Sequence, residues 1–222
     1  MEIEKFIDHT LLSPQAKSTD IAKLCQEAIE HDLFAVCVNP YYVSDAVKAL
    51  RSSKVSVATV IGFPLGANLT PVKVLEAKQA IEQGAGELDM VINIGALKEG
   101  LFDYVVYDIE SVVKAANGAL VKVIIECDLL TDADKIMACQ ACIKGNANMV
   151  KTSTGFVKDG KGATVSDIKL IKNELKGSRL GIKASAGIRN YAQAISLIEA
   201  GANRIGTSSS IAILNEAKVK AK

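Results

Sequence analysis

Residues 145–153 read GNANMVKTS, and this stretch contains a helix end, a turn and a strand start that recur along the chain. A glycine suited to ending a helix is followed by a short polar turn, and then by an apolar run that begins at Met149. The same turn chemistry precedes other apolar runs, at Gly84-Ala85 and at Gly201-Ala202. Continuous apolarity indicates a strand that is buried on both faces, as in a parallel sheet covered by helices. The run ends at Lys151, where a solvated surface charge is not expected.

Short runs rich in Val and Ile alternate with stretches in which apolar residues recur every three or four positions. The predicted strands lie at 6–10, 34–38, 55–63, 87–94, 121–127, 148–153, 180–185 and 203–208, and the clearest helical stretches at 20–30, 70–83, 105–116, 164–175 and 191–200. The strand starts are separated by roughly 23 to 35 residues, the length of one strand-plus-helix unit. We therefore predict one α/β domain over residues 1–222, a closed (β/α)8 TIM barrel. An open doubly wound sheet is the structural alternative, although neither glycine-rich nucleotide motif is present.

Glycines just beyond the helical stretches indicate left-handed helix ends. They are Gly84, Gly118, Gly145, Gly177 and Gly201.

The composition excludes several classes of function. The chain has 222 residues, is 49% hydrophobic and carries a net charge of +1, so no global field favours nucleic acid or an anionic membrane. The amino terminus lacks a secretory signal, and no apolar run approaches the roughly 18 residues that span a bilayer. We expect a cytoplasmic protein whose five cysteines are reduced. Cys139 and Cys142 form a CxxC that suits a redox or zinc site, but two small apolar residues on a helix explain it better.

Barrel enzymes place their chemistry at the carboxyl ends of the strands, and two lysines lie there. Lys151 and Lys183 end neighbouring predicted strands, roughly 5 Å apart. Two ammonium groups at that distance repel by roughly 3 kcal/mol at an effective dielectric near 20, which lowers the pKa of one of them. Burial acts in the same direction, and a neutral amine at pH 7 can attack a carbonyl. The alternative is that each lysine extends its ammonium group to solvent or pairs with Asp89 or Glu126.

Small hydroxyl-bearing and glycine residues follow the last three strands, at 153–155, 185–187 and 206–210. Such residues let backbone N–H groups approach an anion, and the helix after Ser210 would aim its amino terminus at the same place. Barrels often bind phosphate near strands seven and eight, so we predict a phosphate site there.

The motifs that carry these residues resemble those of the deoxyribose-phosphate aldolases, a family of class I aldolases with the (β/α)8 fold. They are FIDHTLL (6–12), FAVCVNP (34–40), VIGFPLG (60–66), ELDMVINIGAL (87–97), KVIIE (122–126), VKTSTGF (150–156), IKASAGI (182–188) and RIGTSSS (204–210). The resemblance implies reversible cleavage of 2-deoxy-D-ribose 5-phosphate into D-glyceraldehyde 3-phosphate and acetaldehyde. It also implies that no metal and no organic cofactor is required, since the protonated imine is the electron sink.

Site roles follow from that resemblance alone. Lys151 would form the Schiff base, Lys183 would tune its pKa and move protons, and Asp89 would relay protons through water. The implied substrate-binding residues are Asp8, Thr10, Cys37, Thr152, Gly155, Gly187, Ser208 and Ser209. The expected partners are the sugar phosphate, acetaldehyde and further copies of the chain in a dimer or tetramer.

The sequence departs from the family pattern at three places. Ala186 stands where a glycine is common, Cys127 stands where a threonine is usual, and the end NEAKVKAK (215–222) has no tyrosine to close over phosphate and should be frayed. Two alternatives remain: a Schiff-base lyase or transaldolase for another sugar phosphate, and a catalytically silent barrel that binds one.

Overall fold

A computed structural model describes residues 2–220, and within them eight parallel strands close into a barrel in chain order. The strands are β1 (Ile7–Leu11), β2 (Ala35–Val38), β3 (Ser56–Ile61), β4 (Glu87–Val91), β5 (Leu120–Ile124), β6 (Met149–Lys151), β7 (Gly181–Ser185) and β8 (Arg204–Thr207). Because β1 pairs with both β2 and β8, the sheet has no edge, and the open-sheet alternative is wrong. Each strand lies within the apolar run predicted for it, or one residue beyond it at β1 and β5.

Nine α-helices in the described range surround the barrel. They are α1 (Ser18–Glu30), α2 (Val43–Leu50), α3 (Thr70–Glu82), α4 (Ile94–Lys98), α5 (Phe102–Ala115), α6 (Asp132–Lys144), α7 (Val165–Glu174), α8 (Tyr191–Ala200) and α9 (Ser210–Lys220). The five predicted helical stretches correspond to α1, α3, α5, α7 and α8. Two others, α2 and α4, are eight and five residues long, too short to show a clear period.

Alternation along the strands separates two interiors. Residues such as Val57 and Leu88 face the helices and join the large apolar core between the barrel and the outer layer. Residues at alternate positions face the barrel axis, where a smaller apolar cluster of Leu12, Cys37, Ala58 and Val60 lies apart from that core.

One predicted helix end is wrong in its detail. Gly84, Gly118, Gly177 and Gly201 have the expected positive φ, but Gly145 has φ −78° and the left-handed residue is Asn146, with φ 57°. Gly145 instead allows the end of α6 to pack closely against α5. A Cβ at this position would lie 2.7 Å from Cγ2 of Ile109 on α5, nearer than side-chain atoms approach.

The carboxyl end also differs from expectation. Helix α9 continues to Lys220, so residues 215–220 are helical rather than frayed, and residues 221–222 lie outside the described range. No helix within residues 2–220 is both long enough and apolar enough to cross a membrane.

Candidate active site

Seven charged side chains converge inside the barrel, and we call them the charge cluster. They are Asp8 on β1, Glu87 and Asp89 on β4, Lys122 on β5, Lys151 on β6, Lys183 on β7 and Arg204 on β8. All seven residues are buried, and four of them, Asp8, Asp89, Lys122 and Lys183, are fully inaccessible to solvent. Ionised groups persist in such surroundings only when they are paired, and each member contacts at least one group of opposite charge.

Asp89 is the hub of the charge cluster. Its Oδ2 accepts hydrogen bonds from Nζ of Lys151 at 2.8 Å and from Nζ of Lys183 at 2.7 Å. Its Oδ1 accepts a bond of 2.7 Å from Nζ of Lys122. Burial opposes ionisation of Asp89, but the three ammonium groups hold its pKa well below the usual range. Asp89 is therefore a carboxylate at neutral pH in this arrangement.

The two lysines predicted from the sequence are neighbours, as expected, and their pKa values are shifted in opposite directions. They are paired in register across β6 and β7. Burial lowers the pKa of Lys151; Asp89 opposes this effect, and the ammonium of Lys183 reinforces it. Burial also disfavours charge on Lys183, but Asp8 and Asp89 together raise its pKa above the ordinary value.

A count of charges explains why the two lysines differ. The charge cluster holds three carboxylates and four groups that can be cationic. Three cations balance the three carboxylates, so the fourth is in excess. Lys183 is held by two carboxylates, whereas Lys151 contacts only Asp89 and shares that oxygen. Deprotonation therefore costs less electrostatic stabilisation at Lys151 than at Lys183.

The deeper part of the charge cluster was not predicted. The guanidinium of Arg204 bridges Asp8 and Glu87, reaching Oε2 of Glu87 at 2.9 Å, and lies 3.7 Å from the centre of the Phe34 ring. Lys122 bonds to both Glu87 and Asp89. The sequence contained a signal for Lys122, since it interrupts an apolar strand in the same way as Lys151 and is the register partner of Asp89.

A cavity of about 440 Å³ opens above Lys151, at the carboxyl ends of the strands. Six of the predicted site residues line it: Thr10, Lys151, Gly155, Gly187, Ser208 and Ser209. Asp8, Cys37, Asp89 and Lys183 lie below it, fully buried. Thr152 is also fully buried, and its hydroxyl donates to the carbonyl of Ser185 and accepts from the N–H of the same residue. The structure thus uses Thr152 to join β6 to β7 and does not bring it to the cavity wall.

The side of the cavity after β6, β7 and β8 is built for an anion. Gly155 and Gly187 have φ of 85° and 74°, and Ser208 and Ser209 directly precede α9. Arg189 also lines this side and adds a cation that the sequence did not single out. Neutral small residues, a helix amino terminus and a guanidinium together suit a phosphate group.

Ala186 adopts a left-handed backbone, with φ 74°, in the middle of this anion site. Its carbonyl accepts a hydrogen bond from the N–H of Ala163, and the loop at Gly162 approaches so closely that a Cβ there would lie 2.4 Å from that carbonyl oxygen. Alanine at positive φ costs about 1 kcal/mol relative to glycine.

Two carboxylates after β5 hold the loop between β6 and α7 over the cavity. Glu126 accepts hydrogen bonds from the N–H and the hydroxyl of Thr154, and burial raises its pKa. Asp128 accepts from the N–H groups of Lys161 and Gly162, both at 2.9 Å. Glu126 therefore positions the loop and pairs with neither lysine. Both lysines pair with Asp89, the other carboxylate named in the alternative weighed from the sequence.

All five cysteines are free and buried. Cys139 and Cys142 lie on α6, fully buried, as expected for two small apolar residues on a helix. Among residues 2–220, no group of three or more His, Cys, Asp and Glu side chains is arranged to hold a metal ion.

The fold and the site define a class, namely barrel enzymes in which a buried lysine amine acts on a carbonyl. The sequence model of the DeoC/LacD family of aldolases matches residues 3–215. A deoxyribose-phosphate aldolase from Thermococcus gammatolerans is 56% identical over 222 residues, which cover 98% of this chain and 97% of that protein. Another, from Clostridium tetani, is 54% identical over 219 residues, covering 98% of this chain and 100% of that protein.

A solved structure agrees with these relatives. It is described as a unique tetrameric structure of deoxyribose phosphate aldolase from Aeropyrum pernix, and it superposes with a TM-score of 0.90 at 34% identity. The match covers 97% of this chain and 91% of that one. The chain belongs to the DeoC/LacD family of aldolases, and it is an enzyme of the carbon–carbon lyase class.

Proposed function

We propose that the enzyme cleaves 2-deoxy-D-ribose 5-phosphate reversibly into D-glyceraldehyde 3-phosphate and acetaldehyde, through a Schiff base on Lys151. The observation that carries this proposal is the position of Lys151. Its amine is the surplus cation of the charge cluster and lies at the floor of a cavity whose far side suits a phosphate.

The reaction begins with the neutral amine of Lys151 attacking the aldehyde carbon of the open-chain sugar. The carbinolamine takes up a proton on its hydroxyl, loses water and becomes an iminium ion. The bond between carbons 2 and 3 then breaks, its electron pair forms the enamine, and the 3-hydroxyl loses its proton as it becomes the aldehyde of the departing triose phosphate. Protonation of the enamine carbon and hydrolysis of the iminium release acetaldehyde and restore the amine.

Asp89 and Lys183 are the groups that we propose move protons in these steps. Oδ2 of Asp89 accepts a hydrogen bond from Nζ of Lys151 and another from Nζ of Lys183. This oxygen therefore links the nucleophile to Lys183, whose pKa is raised. The three lysines keep the pKa of Asp89 low although burial acts to raise it. Asp89 therefore stays ionised and orients an ammonium proton or a water molecule.

The remaining predicted substrate residues take two kinds of role in this proposal. Thr10, Gly155, Gly187, Ser208 and Ser209 line the cavity and contact the sugar phosphate directly. Asp8 acts through Lys183, to which it is hydrogen-bonded, and Thr152 acts through the β6–β7 pairing. Cys37 lies beside the reacting amine, with its Sγ 4.0 Å from Oδ2 of Asp89.

Turnover with matched substrates tests the proposal. We expect the protein to release both aldehydes from 2-deoxyribose 5-phosphate, and to act on unphosphorylated 2-deoxyribose with a kcat/KM at least about 10²-fold lower, since the anion contacts are lost. Cleavage of a different sugar phosphate in preference would favour the alternative lyase. Binding of the sugar phosphate without release of either aldehyde would favour the silent barrel.

We infer a homo-oligomer as well, because apolar side chains are exposed on one helix. Leu69 directly precedes α3, and Val72 and Leu75 lie in its first two turns; their exposed fractions are 70%, 42% and 59%. Exposed apolar rows of this kind mark contact surfaces. Light scattering should give at least twice the 23.5 kDa chain mass, and Leu75→Asp should lower it; a monomer at micromolar concentration would overturn the inference.

A reducing compartment such as the cytoplasm is the setting that we propose. All five cysteines are free and buried, which suits a protein that is not exposed to disulfide-forming conditions.

A further inference from the structure

One carboxylate ties down the loop between β6 and α7 near its far end. Asp128 lies in a short 3-10 turn after β5. Its Oδ1 accepts a hydrogen bond from the N–H of Lys161 and its Oδ2 accepts one from the N–H of Gly162, both at 2.9 Å. Hydrogen bonds to a charged acceptor are roughly twice as strong as those between neutral groups. We call this pair of bonds the Asp128 latch.

The latched segment packs on the backbone of the anion site. The N–H of Ala163 donates to the carbonyl of Ala186 at 3.0 Å. A Cβ on Gly162 would lie 2.4 Å from that carbonyl oxygen and 3.0 Å from the backbone N of Gly187. A Cβ on Gly187 would lie 2.8 Å from the carbonyl oxygen of Lys161. The two segments meet backbone to backbone, so a movement of one displaces the other.

Neither segment is held in place by its own residue types. Ala186 has φ 74°, a left-handed backbone that alanine rarely adopts. Gly162 and Gly187 have φ of 72° and 74°, and glycine loses more conformational freedom on folding than any other residue. The constraint on these residues therefore has to come from contacts outside the two segments, and the Asp128 latch is such a contact.

We propose that Asp128 is a positioning residue for the phosphate of the substrate. By holding Lys161 and Gly162, its carboxylate fixes the adjoining backbone of Ala186 and Gly187, where the phosphate binds. This inference rests on the proposed function, because the anion in question is the 5-phosphate of the sugar.

The charge of Asp128 alone would have the opposite effect. Asp128 lines the cavity, and a carboxylate in the wall of an anion site repels the anion. However, both of its oxygens already accept hydrogen bonds from N–H groups, and the residue is only half-buried, so water and salt screen its charge. An amide in its place can accept from one N–H but turns its own NH2 group toward the other. The latched segment must then move, and the phosphate site moves with it.

Kinetics with and without the phosphate measure the effect of the latch. Asp128→Asn should raise KM for 2-deoxyribose 5-phosphate about tenfold at an unchanged kcat, because the lost contact acts equally on the bound substrate and the transition state. Its kcat/KM for unphosphorylated 2-deoxyribose should not change, since that sugar places no group in the anion site. Calorimetry with glycerol 3-phosphate, which has no carbonyl and cannot react, should show the same tenfold weakening.

Asp159→Asn is the matched control. Asp159 lies in the same loop, is exposed to solvent and has φ 57°, a conformation that asparagine also tolerates. The substitution removes the same charge but neither bond of the latch, so KM should stay as in the unmodified enzyme. Asp128→Ser, which also removes the carboxylate, replaces Asp128→Asn if the latter does not fold.

The outcomes separate this inference from the proposed function. A lower or unchanged KM in the Asp128 variant, an equal loss with unphosphorylated 2-deoxyribose, or an equal rise in Asp159→Asn would overturn the role of the latch. If the unmodified enzyme releases no aldehyde from the sugar phosphate, the proposed function fails, and the calorimetry still tests the latch. Binding of glycerol 3-phosphate that is as tight in Asp128→Asn as in the unmodified enzyme, or absent from both, would overturn the latch alone.

Discussion

The charge cluster and the small apolar cluster of Leu12, Cys37, Ala58 and Val60, which we call the apolar wall, lie inside the same barrel and have opposite electrostatic character. The charge cluster buries seven ion-paired groups, whereas the apolar wall holds no ion pair, and its only ionisable group is the thiol of Cys37. Between them lies the amine of Lys151, which touches Asp89 on one side and has Cys37 nearby on the other. The comparison shows why Lys151 suits a nucleophile: the nearby carboxylates already pair with other cations, and its remaining surroundings are apolar, so its ammonium form gains little stabilisation.

The same comparison explains why Lys183 is not the nucleophile. Lys183 occupies the matching register position on the next strand, but its ammonium is held by both Asp8 and Asp89. Its pKa is raised despite burial, while that of Lys151 is lowered by burial and by Lys183. Position in the barrel therefore does not decide the role; the number of carboxylate contacts does.

Removing the amine at the boundary should have the largest effect. We expect Lys151→Leu to lower kcat by at least about 10⁴-fold, because no other described lysine has both a lowered pKa and access to the cavity. A coupled assay for glyceraldehyde 3-phosphate measures the loss, and circular dichroism checks that the barrel is intact. Retained cleavage in a folded variant would mean that the wrong lysine has been assigned.

Removing a cation from the charge cluster should come next. In Lys183→Leu, the ammonium that lowers the pKa of Lys151 is gone and Asp89 attracts Lys151 more strongly, so the pKa of Lys151 rises. The neutral amine is then lost at a higher pH than in the unmodified enzyme, and activity should fall by roughly 10²-fold near neutrality and recover toward alkaline pH. An acid limb of the pH profile that does not move would contradict the charge count.

Removing a carboxylate should have a smaller effect of the opposite sign. Glu87 pairs with Lys122 and Arg204, so Glu87→Gln increases the positive excess in the charge cluster and should move the acid limb to lower pH. Breaking a buried ion pair also costs about 3–5 kcal/mol of unfolding free energy, which thermal denaturation will record. A shift in the same direction as that of Lys183→Leu would show that the net charge of the cluster does not set the pKa of Lys151.

A change outside both regions should have the smallest effect. Ala186→Gly relieves a positive φ in the anion site and should stabilise the protein by about 0.5–1 kcal/mol, with a modest decrease in KM for the sugar phosphate. The pH profile should not change, since Ala186 is not in the charge cluster. A moved profile would mean that the loops tune Lys151 as well.

Much of the fold was predictable, because it rests on local patterns repeated along the chain. Eight apolar runs at regular spacing predict eight buried parallel strands, and each run contains a strand. The exchange of roles between Gly145 and Asn146 was not predictable, because it depends on how closely α5 approaches. Helix α4, five residues long, leaves no periodic trace.

The site divides in the same way. Lys151 ends β6, and Asp89 and Lys183 lie within β4 and β7, where they interrupt apolar runs, so the sequence alone draws attention to all three. Arg204 and Glu87 are the first residues of β8 and β4, and in the sequence a charge at the start of a strand is typical of a solvated strand end. The two side chains bond to each other only because the closed barrel places both in its interior. The apolar wall was equally hidden, since Ala58 and Val60 look like ordinary core residues until the register places them beside Glu87 and Asp89.

The measurement that tests the central claim most directly is a map of reduced adducts among the buried lysines. The protein is incubated with acetaldehyde and borohydride at pH 7, and digested peptides are assigned by mass spectrometry. We predict one adduct per chain on Lys151, with Lys122 and Lys183 unmodified, because the amine of each of these two lysines is ion-paired with at least two carboxylates. An adduct on Lys183 or Lys122, or none at any of the three, would contradict the account.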